Sequence, residues 1–139
     1  MIKYLLDTNV VSELRKLKPH VAVITWIDEV RNDQLYISAV TFAELQRGIE
    51  RPRRLEAQKA REIDNWLDQL ELSRNVLPMD SVCFREWARL LEAKSEYLSE
   101  DAMIAATARV HALVVATRNE KHFTGLDVEL INRFKTRPS

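Results

Sequence analysis

"KYLLDTNVVSEL" occupies residues 3–14. A short apolar run, Ile2 to Leu6, stops at Asp7 and is followed by Thr8 and Asn9. Aspartate is disfavoured in strands and in helix interiors, but it is a strong helix N-cap. The stretch therefore reads as a buried strand, a polar junction, and a helix carrying Val10, Val11 and Leu14. Asp7 is either the cap of that helix or the first piece of a site.

The same arrangement recurs along the chain. Further strand candidates are Leu35–Ile37, Val76–Met79 and Leu113–Thr117, with a weaker one at Val128–Ile131. They are brief and continuously apolar, as strands covered on both faces of a parallel sheet are. Amphipathic stretches lie between them. Val23, Ile27 and Val30 share a helical face close to Trp26, and Leu45 and Ile49 follow Val40. Ala60, Ile63, Leu67 and Leu70 form a stripe widened by Trp66; Val82, Trp87, Leu90 and Leu91 serve the next helix. Ala102, Ala105, Ala106 and Val110 serve the helix ending near His111. Alternating strands and helices predict an α/β domain with a central parallel sheet between helical layers.

The totals agree with that class. The chain has 139 residues, 46% hydrophobic and 30% charged, with two Gly and four Pro, as expected of one globular domain spanning residues 1–139. Twenty-one basic residues balance twenty-one acidic ones. A nonspecific nucleic-acid coat protein carries a basic excess, so nucleic-acid contact here is expected to be local or assisted by metal. Cys83 is the single cysteine, which excludes an internal disulfide and suits a reducing compartment. No signal peptide or membrane-spanning run is evident, and the cytosol is the expected setting.

Ligands of open parallel sheets bind beyond the carboxyl ends of the strands. The residues there are Asp7, Ser38, Asp80 and the pair Arg118-Asn119. Glu44 lies in "SAVTFAELQRG", residues 38–48. Thr41 to Glu44 matches a capping box; Ser38, directly after the strand, is the better cap and would place Glu44 in the second turn. Gly48 shares that helix face, and close packing would explain a glycine that costs about 1 kcal/mol in a helix interior. Asp101 follows Ser99 and Glu100, so it reads as first-turn acid favoured by the helix dipole. Asn119 reads as a turn residue, and Asp80 as a helix cap.

Each of these structural readings stands alone. Together they place three carboxylates from distant parts of the chain at one sheet edge, where they repel unless a cation sits among them. Hard oxygen ligands without a Cys or His cluster suit Mg²⁺ or Mn²⁺. His20, His111 and His122 lack ligand-like spacing, which argues against zinc. Such a site fits phosphodiester hydrolysis.

With these residues in place, the chain resembles the PIN-domain ribonucleases, and among them the VapC- or FitB-type toxins of bacterial toxin–antitoxin pairs. The resemblance rests on "LLDTNVVSEL", "ISAVTFAELQRGI", "DAMIAATARVHALVVATRN" and "KHF", which occur in family order and cover essentially the whole chain. It implies a sheet ordered 3-2-1-4-5 with Asp7 on the central strand. It implies a Mg²⁺- or Mn²⁺-dependent endoribonuclease leaving a 5′-phosphate and a 3′-hydroxyl. Asp7 and Asp101 would ligate metal, and Glu44 would bind through water or help deprotonate the attacking water. The fourth acidic position is Asn119 here, an amide that adds no charge and puts tight binding of a second metal in doubt. Thr8, Asn9, Thr117 and Arg118 would support the site. Lys94–Glu100 lacks the glycine many relatives carry, so altered loop geometry is expected there. The implied partners are RNA, a small antitoxin and a second copy of the chain.

Other features have two readings. Arg47, Arg51, Arg53, Arg54, Lys59 and Arg61 form either a phosphate track or a solvated face paired with Glu50, Glu56 and Glu62. Trp26, Trp66 and Trp87 are expected in the core, although Trp66 with Leu67–Leu70 could instead form a dimer or antitoxin surface. A haloacid-dehalogenase-type phosphatase would need a second Asp where Asn9 stands. A non-catalytic PIN-fold module that binds RNA or protein is the alternative that Asn119 keeps open.

Overall fold

The computed structural model describes residues 1–50, 56–93 and 99–135. Five strands pair in the order β3-β2-β1-β4-β5: β1 (Tyr4–Leu6), β2 (Leu35–Ser38), β3 (Asn75–Leu77), β4 (Val114–Ala116) and β5 (Leu130–Ile131). Every pairing is parallel. The chain steps outward from β1 to β2 and β3, then returns beside β1 as β4. The junction of β1 and β4 is thus the point where the strand order reverses and a binding crevice opens.

The strands are shorter than their apolar runs. Ile2 precedes β1 and is exposed, and β3 stops at Leu77 instead of Met79. Pairing lasts only as long as a neighbour is present, so strand ends follow the partner more than local propensity. β5 reduces to two residues for the same reason.

Helices cover both faces. They are α1 (Thr8–Val11), α2 (Val21–Glu29), α3 (Ala39–Glu50), α4 (Ala57–Ser73), α5 (Ser81–Ala93) and α6 (Ser99–His111). Leu5 and Leu6, consecutive on β1, enter different cores. Leu5 joins Val115, Leu90, Ile104 and Phe123 on the side of α5 and α6. Leu6 joins Val10, Val11, Trp26, Ile37 and Leu70 on the other. Successive strand side chains point to opposite faces, so burial of both requires the three-layer arrangement. Ala102, Ala105, Ala106 and Ala108 are fully buried, and these small side chains let α6 approach the sheet closely. Asp80 caps α5, accepting from the Cys83 backbone N–H at 3.0 Å. Among the described residues no helix is long and apolar enough to cross a membrane.

Two expectations are corrected. A Cβ built on Gly48 would meet nothing within 4 Å, so close packing does not account for this glycine. Leu67 and Leu70 are buried within the molecule, and Trp66 packs with Phe42 and Leu45 against Ile49 and Ile63. Ile63, Trp66 and Leu67 join α4 to α3, and Leu70 enters the core beside Trp26, so the leucines of the stripe are spent inside the molecule.

Candidate active site

Asp7 begins where β1 ends. Its backbone N–H donates to the Ala116 carbonyl at 2.9 Å, extending the pairing with β4 by one step. Its side chain caps α1, with Oδ1 accepting from the Thr8 N–H at 2.8 Å. Oδ2 accepts from the Thr117 hydroxyl at 2.8 Å and from the Asn9 amide at 3.1 Å. The helix-cap and site readings therefore describe one carboxylate, which is 5% exposed. Burial pushes its pKa up, against the three donors that hold it down.

Glu44 arrives from β2 and α3. Ser38 ends the strand and its hydroxyl accepts from the Val40 N–H at 3.1 Å, so Ser38 caps the helix. The Thr41–Glu44 capping box does not form, because both residues lie inside α3. Instead the Thr8 hydroxyl donates to Glu44 Oε1 at 2.9 Å and lies 3.0 Å from the Thr41 hydroxyl. Thr8 has one proton and gives it to Glu44. Thr41, fully buried, is then the donor to Thr8. Burial raises the Glu44 pKa, and the charges of Asp7, Asp101 and Glu100 add to the rise.

Asp101 stands in the first turn of α6, as its sequence position indicated. Burial raises its pKa first and the charge of Asp7 second, while His122 opposes them. His122 Nδ1 lies 3.3 Å from Asp101 Oδ2. The histidine is delivered by a single 3₁₀ turn, Glu120–His122, directly after β4. The His122 N–H donates to the Asn119 carbonyl at 3.1 Å, and the next residue, Phe123, is anchored in the core.

These groups line one open cleft of about 520 Å³, walled by Asp7, Thr8, Asn9, Glu44, Asp101 and Asn119, with Ser12, Arg47, Glu100 and His122 completing it. Asn119 is exposed, and its N–H donates to the Thr117 hydroxyl at 3.0 Å. It is both a turn residue and a wall of the cleft. Arg118 stands apart: its N–H donates to Asn9 Oδ1, and its guanidinium lies 4.6 Å from the Phe134 ring centroid. Arg47 pairs with Glu100 at 3.3 Å across the mouth.

Sequence reasoning missed His122 because it weighed histidines by their spacing from one another. The usable signal was its position three residues after Asn119, one 3₁₀ turn from the strand end. Of the proposed phosphate track, Arg51, Arg53 and Arg54 lie outside the described residues, as do positions 94–98 of the loop before α6. Lys59 sits 4.0 Å from Glu56, and Arg61 donates to Gln58 at 2.6 Å, in the manner of a solvated helix face.

The sequence profile of the PIN domain matches residues 4–128. The chain belongs to the PIN domain family. Within it, the protein is 39% identical over 137 residues to the VapC ribonuclease Y4jK of Sinorhizobium fredii, covering 91% of this chain and 94% of that one. It is 36% identical over 135 residues to the toxin FitB of Neisseria gonorrhoeae, covering 92% and 96%. The crystal structure of FitAcB from Neisseria gonorrhoeae superposes with a TM-score of 0.82 at 33% identity, over 96% of this PIN chain and 99% of that one.

Proposed function

We propose that this PIN-domain protein is a divalent-metal-dependent endoribonuclease acting as the toxin of a toxin–antitoxin pair. The observation that carries the reading is the convergence of Asp7, Glu44 and Asp101 in one cleft, each with its pKa raised. Such a cluster is costly without a cation and suited to one. Its likeness to the VapC ribonuclease and to FitB supports RNA as substrate and a small antitoxin as partner.

The donor set fits Mg²⁺ or Mn²⁺: carboxylates and hydroxyls in a cleft wide enough for water. Among the described residues, no three His, Cys, Asp or Glu side chains stand close enough to hold an ion together. Mg²⁺ usually keeps several waters and takes one or two carboxylates directly. Asp7 and Asp101 would hold the ion, and Glu44 would reach it through water. When bound, the ion would polarise the phosphoryl oxygen, lower the pKa of the attacking water and neutralise charge on the leaving group.

The chain's own groups supply orientation. Thr117 and Asn9 fix Asp7 Oδ2, and the Thr41–Thr8 relay fixes Glu44 Oε1. Glu44, with its raised pKa, would accept the proton of the attacking water. Attack at phosphorus breaks the bond to the 3′ oxygen and leaves a 5′-phosphate and a 3′-hydroxyl. Asn119 adds a carbonyl oxygen to the polar wall without adding charge.

The test is Mn²⁺-dependent cleavage of RNA by the purified chain and by Asp7→Asn. Asp7→Asn is expected to lose more than about a hundredfold in rate, at least ~2.7 kcal/mol of barrier lowering, and to relieve growth inhibition on expression. An Asp7→Asn protein that cuts as well as the parent would overturn the metal-nuclease reading. A cleft that binds RNA with no Mn²⁺-dependent cutting would instead mark a non-catalytic PIN module.

A further inference from the structure

We propose that His122 is the positioning residue of Asp101: its Nδ1 holds carboxylate oxygen Oδ2 and leaves Oδ1 for the cation. The inference rests on the metal-nuclease reading above and goes beyond it by assigning a role that the acidic residues do not fill.

The three carboxylates are held unequally. Asp7 accepts from Thr8, Asn9 and Thr117, so both of its oxygens are fixed. Glu44 has Oε1 fixed by Thr8, itself fixed by the buried Thr41. Neither hydroxyl relay reaches Asp101. Among the described residues, the ring beside its carboxylate is His122, with Nδ1 at an ion-pair distance of 3.3 Å from Oδ2. A carboxylate that ligates metal is itself held by hydrogen bonds in well-ordered sites, and loss of such a partner weakens metal affinity by about 10–100-fold.

The ring is built to stay in place. Its 3₁₀ turn is closed by the His122 and Phe123 N–H groups donating to the Asn119 and Glu120 carbonyls at 3.1 and 3.0 Å. Asn132 braces the same segment, donating to the Arg118 carbonyl at 3.3 Å and to Glu120 at 3.2 Å, and Phe123 is 1% exposed. Asp101 is 14% exposed and His122 47%, which puts the histidine on the solvent side of the carboxylate it holds.

Mn²⁺ titration calorimetry on the purified chain tests this, with melting in EDTA as the control for folding. The amide nitrogen of His122→Asn stands near the position of Nδ1, and that of His122→Gln near Nε2. His122→Ala and His122→Gln are expected to bind Mn²⁺ at least about tenfold more weakly, with His122→Asn within about threefold of the parent. EDTA melting is expected to stay close to the parent for all three. Parent-like Mn²⁺ affinity in both His122→Ala and His122→Gln overturns the proposal, and so does His122→Asn binding as weakly as His122→Gln. Should His122→Ala fail to fold, the His122→Asn and His122→Gln pair decides alone. Failure of the underlying reading has a different signature, in which the parent binds no Mn²⁺ or Asp7→Asn binds it equally well.

Discussion

At the amino ends of β4 and β5, Arg109 donates to the Asp127 carboxylate and carbonyl at 2.8 Å and pairs with Glu86 at 3.3 Å. At the carboxyl ends of β1 and β2, Asp7, Glu44, Asp101 and Glu100 share a cleft in which Arg47, paired with Glu100, is the arginine of the wall. With Arg89 also pairing with Glu86 at 3.2 Å, two cations balance two carboxylates in the first group. The Asp127 hydrogen bond, then Glu86, raise the Arg109 pKa and so favour its charged form. In the second group, burial favours the neutral form of all three carboxyls, and repulsion from neighbouring carboxylates adds to it at Glu44 and Asp101. Charge that is paired within the chain holds the fold; charge left in excess at a strand-order reversal awaits something from outside.

The largest expected effect breaks this comparison at its acidic end. Asp7→Asn should abolish RNA cleavage and, in the same protein, the rise in melting temperature that Mn²⁺ gives the parent. A Kd-saturating ion stabilises the native state by about 2.7 kcal/mol at a hundred times Kd, or roughly 5–15 °C for a chain of this size. Calorimetric scans with Mn²⁺ and with EDTA measure it.

The second effect concerns pH. A carboxyl whose folded pKa is raised binds more protons in the native state than in the unfolded state across that window. Stability then falls as pH climbs from the ordinary carboxylate value through the raised one, and the loss persists at neutrality. In EDTA this contribution should oppose the gain from the paired carboxylates, and Glu44→Gln should remove part of it. Glu44→Gln is therefore expected to melt about 2–6 °C above the parent at pH 7 in EDTA, while losing Mn²⁺-dependent cleavage. A Glu44→Gln protein that melts lower would show that the Thr8 bond outweighs the repulsion.

A smaller effect is expected at the balanced end. Arg109→Ala leaves Glu86 with Arg89 as its remaining partner and frees the Asp127 turn, whose backbone φ is 55°. The pair is partly exposed, so about 1 kcal/mol is expected, read as a small drop in melting temperature with RNA cleavage unchanged. A loss of cleavage in Arg109→Ala would mean that the two ends are coupled through α6. The smallest change sharpens the border of the cleft. Gly48→Ala, with open space around its Cβ, should stabilise α3 by about 0.4–1 kcal/mol in denaturant titration.

The opening stretch shows how far local chemistry carries. An apolar run cut by Asp7 marked a buried strand, the family resemblance implied that it is the central one, and Glu44 and Asp101 were read as companions of Asp7 before any contact was known. These are legible because burial on two faces demands unbroken apolar strands, and a carboxylate placed at such an end has few structural uses. The strand limits were less legible, since Ile2 and Met79 are as apolar as their neighbours and only missing partners exclude them. Gly48 was misjudged because helix propensity records the cost of glycine but not the space around it.

By itself the sequence determined the α/β class, the chain order of the strands and which acids stand at their ends, since these follow from periodicity and side-chain chemistry. Tertiary structure alone decided how those acids are held. Thr117 reaches Asp7 across 110 residues, Thr41 reaches Thr8 across 33, and His122 meets Asp101 on a separate helix. Contacts of that kind depend on ångström distances between elements, and no local pattern encodes them.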